Sequence, residues 1–136
     1  MRKAAIFDLD GTLISGTSAE RIFIRYLLKK GEISLSGIFR TFLKFFENIG
    51  SWNKMVVQNK YYLKGRSPEK FRQIADECFS NSVDRLISKD MIRIIHYHKD
   101  KGNLLIMISG TLNFILDLFS RRLSFDDKKG TDLEVK

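Results

Sequence analysis

A single cysteine, Cys78, stands among 136 residues. With no intramolecular partner it excludes a disulfide framework and a thiolate metal cluster, which fits a reducing cytoplasm. Proline is nearly absent, with Pro68 alone, and nine glycines are too few for a low-complexity or disordered chain. No uninterrupted apolar stretch approaches the roughly 20 residues that a transmembrane helix requires. Met1-Arg2-Lys3 is followed by only four apolar residues before Asp8, so no secretory signal peptide is expected. Acidic residues are also scarce, 16 against 24 Lys and Arg, for a net charge of +8. Such an excess suits nucleic acid, an anionic membrane surface or a phosphorylated substrate. The basic residues form only short doublets, Lys29-Lys30, Arg121-Arg122 and Lys128-Lys129. No basic block interleaves with aromatics as single-strand binders require. A solvated basic surface is the simpler account, with no nucleic-acid partner and no stable membrane insertion.

Apolar material is plentiful: 43% of the residues are hydrophobic and eleven are Phe. That supports a buried core at a length for which one domain is the default.

The first chemical signal is at the amino end. Ala4 to Phe7 reads as a short buried strand, and Asp8-Leu9-Asp10-Gly11-Thr12-Leu13 follows directly. Open α/β sheets place ligand chemistry at the carboxyl ends of their strands. A strand period of two would point Asp8 and Asp10 into one crevice. Paired carboxylates there suit Mg²⁺, and an aspartate can instead act as a nucleophile in phosphoryl transfer. The same letters also read as a strand and a turn, since Asp and Gly are turn formers.

A second apolar run, Asn103 to Ile108, ends in Ser109-Gly110-Thr111 before an apolar-periodic helix. A hydroxyl and free backbone N–H groups at that point make a phosphate cradle. Alternatively, Ser109 or Thr111 caps the helix. Between the two runs the chain reads as helices. Ile22, Phe23, Tyr26 and Leu27 follow a Thr17-Ser18 cap and end at Gly31; Ile38 to Phe46 is a Phe-rich stripe. That stripe is expected to pack in a helical bundle, although Arg40 and Lys44 beside aromatics also fit an amphipathic membrane helix. A third segment runs from about Ser51 to Leu63, with Trp52 as a packing residue. Ser67-Pro68-Glu69 opens a fourth helix, and Ile87 to His98 marks a fifth, ended by Lys101-Gly102. His96 and His98 read as surface or core residues rather than ligands.

The string from Ala4 to Leu13 resembles motif one of the haloacid dehalogenase-like superfamily, and Ser109 falls where that superfamily's motif two places a Ser or Thr. The resemblance implies an α/β fold: a Rossmann-like parallel sheet with an inserted helical cap, similar to the phosphoserine phosphatase-like subfamily. Residues 1–14 and 101–136 would form the core and 15–100 the cap. It further implies a phosphomonoester hydrolase working through an aspartyl-phosphate. Asp8 would be the nucleophile, and Asp10 the general acid/base. Mg²⁺ would be held by Asp8 and the Asp10 carbonyl. Ser109 and the N–H groups of Leu9 and Gly110 would bind phosphoryl oxygens, and Thr12 would brace the loop. The partner would be a small phosphorylated metabolite in the cytoplasm. Where phosphoserine phosphatases place a Glu soon after motif one, this chain has Ser15-Gly16-Thr17-Ser18, so phosphoserine is not favoured.

Motifs three and four of the superfamily, a Lys and further acidic Mg²⁺ ligands, lie well downstream of motif two. Asp126-Asp127 is expected to be a solvated turn, and Leu133-Glu134-Val135-Lys136 an interrupted strand. The chain is therefore expected to be C-terminally truncated and impaired, with an uncovered sheet edge open to self-association. Two other readings remain open: an inactive phosphate-ligand binding module, and a basic binder of nucleic acid or anionic lipid.

Overall fold

The structure, a computed structural model, describes residues 3–47 and 67–132. Three parallel strands run in the spatial order β1 (Ala4–Phe7), β2 (Leu104–Leu112), β3 (Asp127–Thr131). The register pairs Ala4 with Leu104, Phe7 with Met107 and Ile106 with Asp127. Parallel neighbours need a crossover, and helices supply both. Between β1 and β2 lie α1 (Ala19–Lys29), α2 (Leu35–Glu47), α3 (Pro68–Cys78) and α4 (Lys89–Asp100); α5 (Asn113–Leu123) joins β2 to β3.

Local signals start these helices. Ser18, Ser67 and Ser88 are N-caps whose hydroxyls accept from Arg21, Lys70 and Met91 N–H, each satisfying a donor that the first turn leaves free. Pro68 follows its cap at the start of α3, where a missing N–H costs nothing. Beyond α3 the backbone loosens into a π turn, Phe79–Val83, and a 3₁₀ turn, Asp84–Leu86. Ile87 does not begin the fifth helix as its periodicity predicts. It forms an antiparallel bridge with Ile14, and Ser88 N–H donates to the Leu13 carbonyl at 2.9 Å.

One face of the sheet is packed. It carries Ala5, Phe7, Leu105 and Met107, all buried. Phe7 meets Phe125 edge-on at 5.5 Å and His98 of α4 at 6.0 Å. So α4, within the expected cap segment, rests on the sheet. Lys128, which pairs with Met107, turns the same way and bonds Asp117 of α5 at 2.6 Å. The core continues through aromatic contacts, Phe23 with Phe71 and Phe114, and Phe79 with Phe119. Arg121–Asp76 and Arg122–Asp84 ion pairs join α5 to α3 and the turn after it. On the opposite sheet face Ile6 is 65% exposed and Ile108 47%.

Three expectations need correction. Asp126-Asp127 is exposed, as a solvated turn would be, but it is not a free turn. Asp126 N–H donates to the Leu105 carbonyl at 2.9 Å and its carboxylate accepts the Leu105 N–H at 2.7 Å, while Asp127 opens β3. The cause is the left-handed Ser124 (φ 56°), which ends α5 and turns the chain straight back along β2. Among its described side chains the stripe of α2 is only partly packed: Ile38 lies against the core, but Phe39 and Leu43 are exposed. Asp8 and Asp10 are not set by a common strand period, because β1 ends at Phe7 and a hydrogen-bonded turn follows. The Ser51–Leu63 segment, Trp52 and residues 133–136 lie outside the described residues.

Candidate functional site

The site forms where β1 and β2 end side by side. One step beyond the Phe7–Met107 pair the chain reaches exposed Asp8, and two steps beyond it on β2 comes half-buried Ser109. After Asp8, Ile14 N–H donates to Leu9 O at 3.0 Å, Gly11 N–H to Ile14 O at 2.7 Å, and Thr12 N–H to Leu9 O at 3.4 Å. Gly11 takes φ +87° to close this turn, a conformation glycine adopts without strain. Thr12 thus belongs to the turn itself.

Asp10 is the most constrained group. Its Oδ1 accepts the N–H of Ala19 at 2.8 Å, a free amide at the start of α1 and a favourable place for a negative charge. Its Oδ2 accepts the hydroxyl of Thr111 at 2.8 Å. Thr111 is 2% exposed, and its burial requires this partner. Asp8 is freer: Oδ1 accepts the neighbouring Leu9 N–H at 2.8 Å. Ser109 Oγ accepts Thr111 N–H at 3.2 Å, which leaves the Ser109 hydroxyl proton available.

Between Ile108 and Leu112 strand β2 bulges against β3, because Ile108 pairs with Lys129 and Leu112 with Thr131. The bulge carries Ser109, Gly110 and Thr111, and re-aims them as bulges near sites do. Thr131 Oγ1 donates to the Gly110 carbonyl at 2.8 Å and holds the bulge from the far side. Gly130 lets the strands approach: a Cβ there would lie 2.6 Å from the Thr111 carbonyl and 2.7 Å from Asn113 Oδ1.

The structure therefore brings Asp8, Asp10, Leu9, Ser109 and Gly110 to adjacent strand ends. Thr111 and the Ala19 amide were not expected to hold Asp10. Thr111 lies two residues past Ser109, and that spacing was the one available signal. The donors suit Mg²⁺ in kind, since all are oxygens. Their number is small. Both Asp10 side-chain oxygens have partners, and among the described residues no group of three or more His, Cys, Asp or Glu could hold a metal. The Asp8 carboxylate and the Asp10 carbonyl remain. Away from the site, burial pushes the Cys78 thiol up to about 11.

The architecture is similar to solved structures. A protein of unknown function from Bordetella pertussis Tohama I matches at TM-score 0.81 and 18% identity, over 100% of this chain and 63% of that one. A phosphoserine phosphohydrolase-like protein from Francisella tularensis subsp. tularensis SCHU S4 matches at 0.59 and 20%, over 96% of this chain and 58% of that one. A phospho-aspartyl intermediate analogue of phosphoserine phosphatase matches at 0.56 and 19%, over 99% and 58%. At such identities the likeness concerns the fold, and the chain spans less than two thirds of each. No curated protein matches. The family model of haloacid dehalogenase-like hydrolases matches residues 5–136, the stretch that runs from β1 through the site to the carboxyl end, and the protein belongs to that family.

Proposed function

We propose that the site hydrolyses small phosphomonoesters through an aspartyl-phosphate. The observation that supports this most is the pairing of an exposed Asp8 with a fully held Asp10 two residues away. A nucleophile must be accessible, and a general acid/base must be fixed in place. Asp8 attacks phosphorus in line, the P–O ester bond breaks, and Asp10 protonates the leaving oxygen. Asp10 then takes a proton from the water that cleaves the acyl-phosphate and frees phosphate. The Ser109 hydroxyl and the Leu9 and Gly110 N–H groups bind phosphoryl oxygens; Thr12 supports the turn. Leu9 N–H already faces the Asp8 carboxylate that makes the attack. Mg²⁺, when held by the Asp8 carboxylate and the Asp10 carbonyl, neutralises charge on the phosphoryl group.

Residues 1–14 and 101–136 are assigned to the core and 15–100 to a helical cap that selects the substrate. The cap remains part of this reading, although α4 rests on the sheet. Ser15 to Ser18 still disfavour phosphoserine. Among the described residues no helix is long and apolar enough to cross a membrane; the lone, buried thiol supports a cytoplasmic placement. A second reading, a phosphate-binding module without turnover, draws on the small set of acidic groups.

The test is release of phosphate from a panel of phosphomonoesters with and without Mg²⁺. Turnover is expected to be slow but measurable and to fall at least ~10³-fold in Asp8→Asn. Turnover unchanged in Asp8→Asn overturns the assignment. Phosphate binding with no turnover selects the second reading.

A further inference from the structure

Every exposed position of α1 is basic. Arg21, Arg25 and Lys29 are exposed, and the positions between them are buried or half-buried. A spacing of four puts one cation on each turn of one helix face, so the row does not show as a run in sequence. At 1.5 Å per residue it is about 12 Å long. The other helices differ. The exposed faces of α3 and α4 mix both signs, and Arg121 and Arg122 of α5 are paired with Asp76 and Asp84.

Among the described residues none of the three α1 cations forms an ion pair. Helix α3 packs on α1 through Phe71 and Phe23, but its Asp76 and Glu77 are taken by Arg121 and Lys30. The sequence positions without described side chains hold only two acids, Glu47 and Glu134, so little negative charge of the chain itself is left for the row. The arrangement works against the helix. Like charges four apart repel, and Arg21 stands in the first turn, where the macrodipole disfavours a cation. A bound anion removes both penalties.

The row offers charge without apolar surface. No aromatic or aliphatic residue of α1 is exposed to stack on a base or to anchor a protein partner. Successive phosphate groups need nothing more. The row also begins at the site: Ala19 gives its N–H to Asp10 Oδ1 at 2.8 Å, and Arg21 lies two residues further on. From there α1 leads away from Asp10.

We propose that Arg21, Arg25 and Lys29 bind the remote phosphates of an elongated, polyphosphorylated small molecule whose terminal phosphate lies at Asp8 and Ser109. This names the substrate class of the site and rests on the hydrolytic reading for the terminal phosphate alone.

The test is titration calorimetry of the full chain with inorganic phosphate and with linear polyphosphate. Polyphosphate should bind at least ~10-fold tighter, by an advantage that shrinks as salt rises. Arg21→Gln/Arg25→Gln/Lys29→Gln should lose the advantage without a lower thermal transition, since Gln suits a helix and the repulsion is gone. Arg93→Gln/Lys99→Gln/Lys101→Gln removes the same charge from α4 and its end and should keep the advantage. Ser109→Ala should weaken both ligands, because one molecule spans site and row. Equal affinity for the two ligands, an equal loss in the α4 variant, or polyphosphate binding indifferent to Ser109→Ala overturns the proposal. So does duplex DNA that binds through the row more tightly than polyphosphate. Absent turnover with the expected binding pattern counts against the hydrolytic reading alone.

Discussion

Thr111 Oγ1 donates to Asp10 Oδ2 at 2.8 Å across 101 positions of sequence, and it joins the end of β2 to the turn after β1. With the Ala19 amide on Oδ1, each oxygen of the Asp10 carboxylate has its own donor. The carboxylate is held in orientation from two different elements.

Removing that hydroxyl should therefore be felt in the fold as well as the site. Thr111→Val leaves a half-buried carboxylate short of one donor, and a bond to a charged group is worth about 1.5–3 kcal/mol. Urea unfolding should show a loss of that order, with most of it restored in Thr111→Ser. A Val variant as stable as the parent would mean the bond contributes nothing net.

Metal binding should be weak. One carboxylate and one carbonyl leave Mg²⁺ mostly in its water shell. Titration calorimetry should give a dissociation constant on the order of millimolar or poorer. Micromolar affinity that disappears in Asp8→Ala would contradict this and call for a further acidic ligand.

Gly130 should tolerate no side chain. The neighbours of an added Cβ include the Thr111 carbonyl and Leu116 Cδ1, and the first of these is backbone inside the bulge. Gly130→Ala should cost about 1–3 kcal/mol and disturb Ser109 through the same bulge. Thermal unfolding measures the first effect and phosphate binding the second. A neutral substitution would mean that β3 can move away freely.

Cys78 gives the molecule a pH dependence at the alkaline end. Its thiol is raised from 9.0 to about 11 by burial, so the folded state holds this proton more tightly than the unfolded state. The associated stability is complete below pH 9 and is lost as pH rises through 11. Chemical unfolding at intervals across that window should show the fall, and Cys78→Ala should flatten it. At neutral pH the folded chain should react with a thiol reagent only as it unfolds.

Among the described residues β1 pairs with β2 alone, and this edge with the exposed Ile6 and Ile108 offers sheet surface to a second copy. Light scattering at high micromolar concentration should detect species larger than a monomer. Replacement of Ile6 by Lys should reduce them. A strict monomer with a cooperative thermal transition would show that the sheet tolerates its bare face.

The site was legible where its chemistry is written locally. Asp8 and Ser109 each end an apolar run, with Asp10 two residues after the first, and the Ser caps of α1, α3 and α4 and the Gly stops of α1 and α4 are local too. The contacts of Asp10 were not legible. Its donors come from nine and 101 positions away, and no periodicity encodes such a meeting. Strand β3 was missed for a related reason. Asp127-Lys128-Lys129-Gly130-Thr131 has poor strand propensity, and its conformation comes from pairing with β2 and from the left-handed Ser124. Ile87 shows the converse: its place in an apolar rhythm predicts helix, but the bridge to Ile14 claims it.

That bridge has a consequence for how the protein can vary. The long insertion leaves the sheet beside Ile14 and returns beside Ile87, at two points already joined by backbone hydrogen bonds. The entropy of closing a loop grows only with the logarithm of its length, about 0.6 kcal/mol for each doubling. The strands that carry Asp8 and Ser109 are thus nearly indifferent to how much chain is threaded between them. The length of chain between Ile14 and Ile87 can change at little entropic cost, provided that α1 stays to offer the Ala19 amide to Asp10.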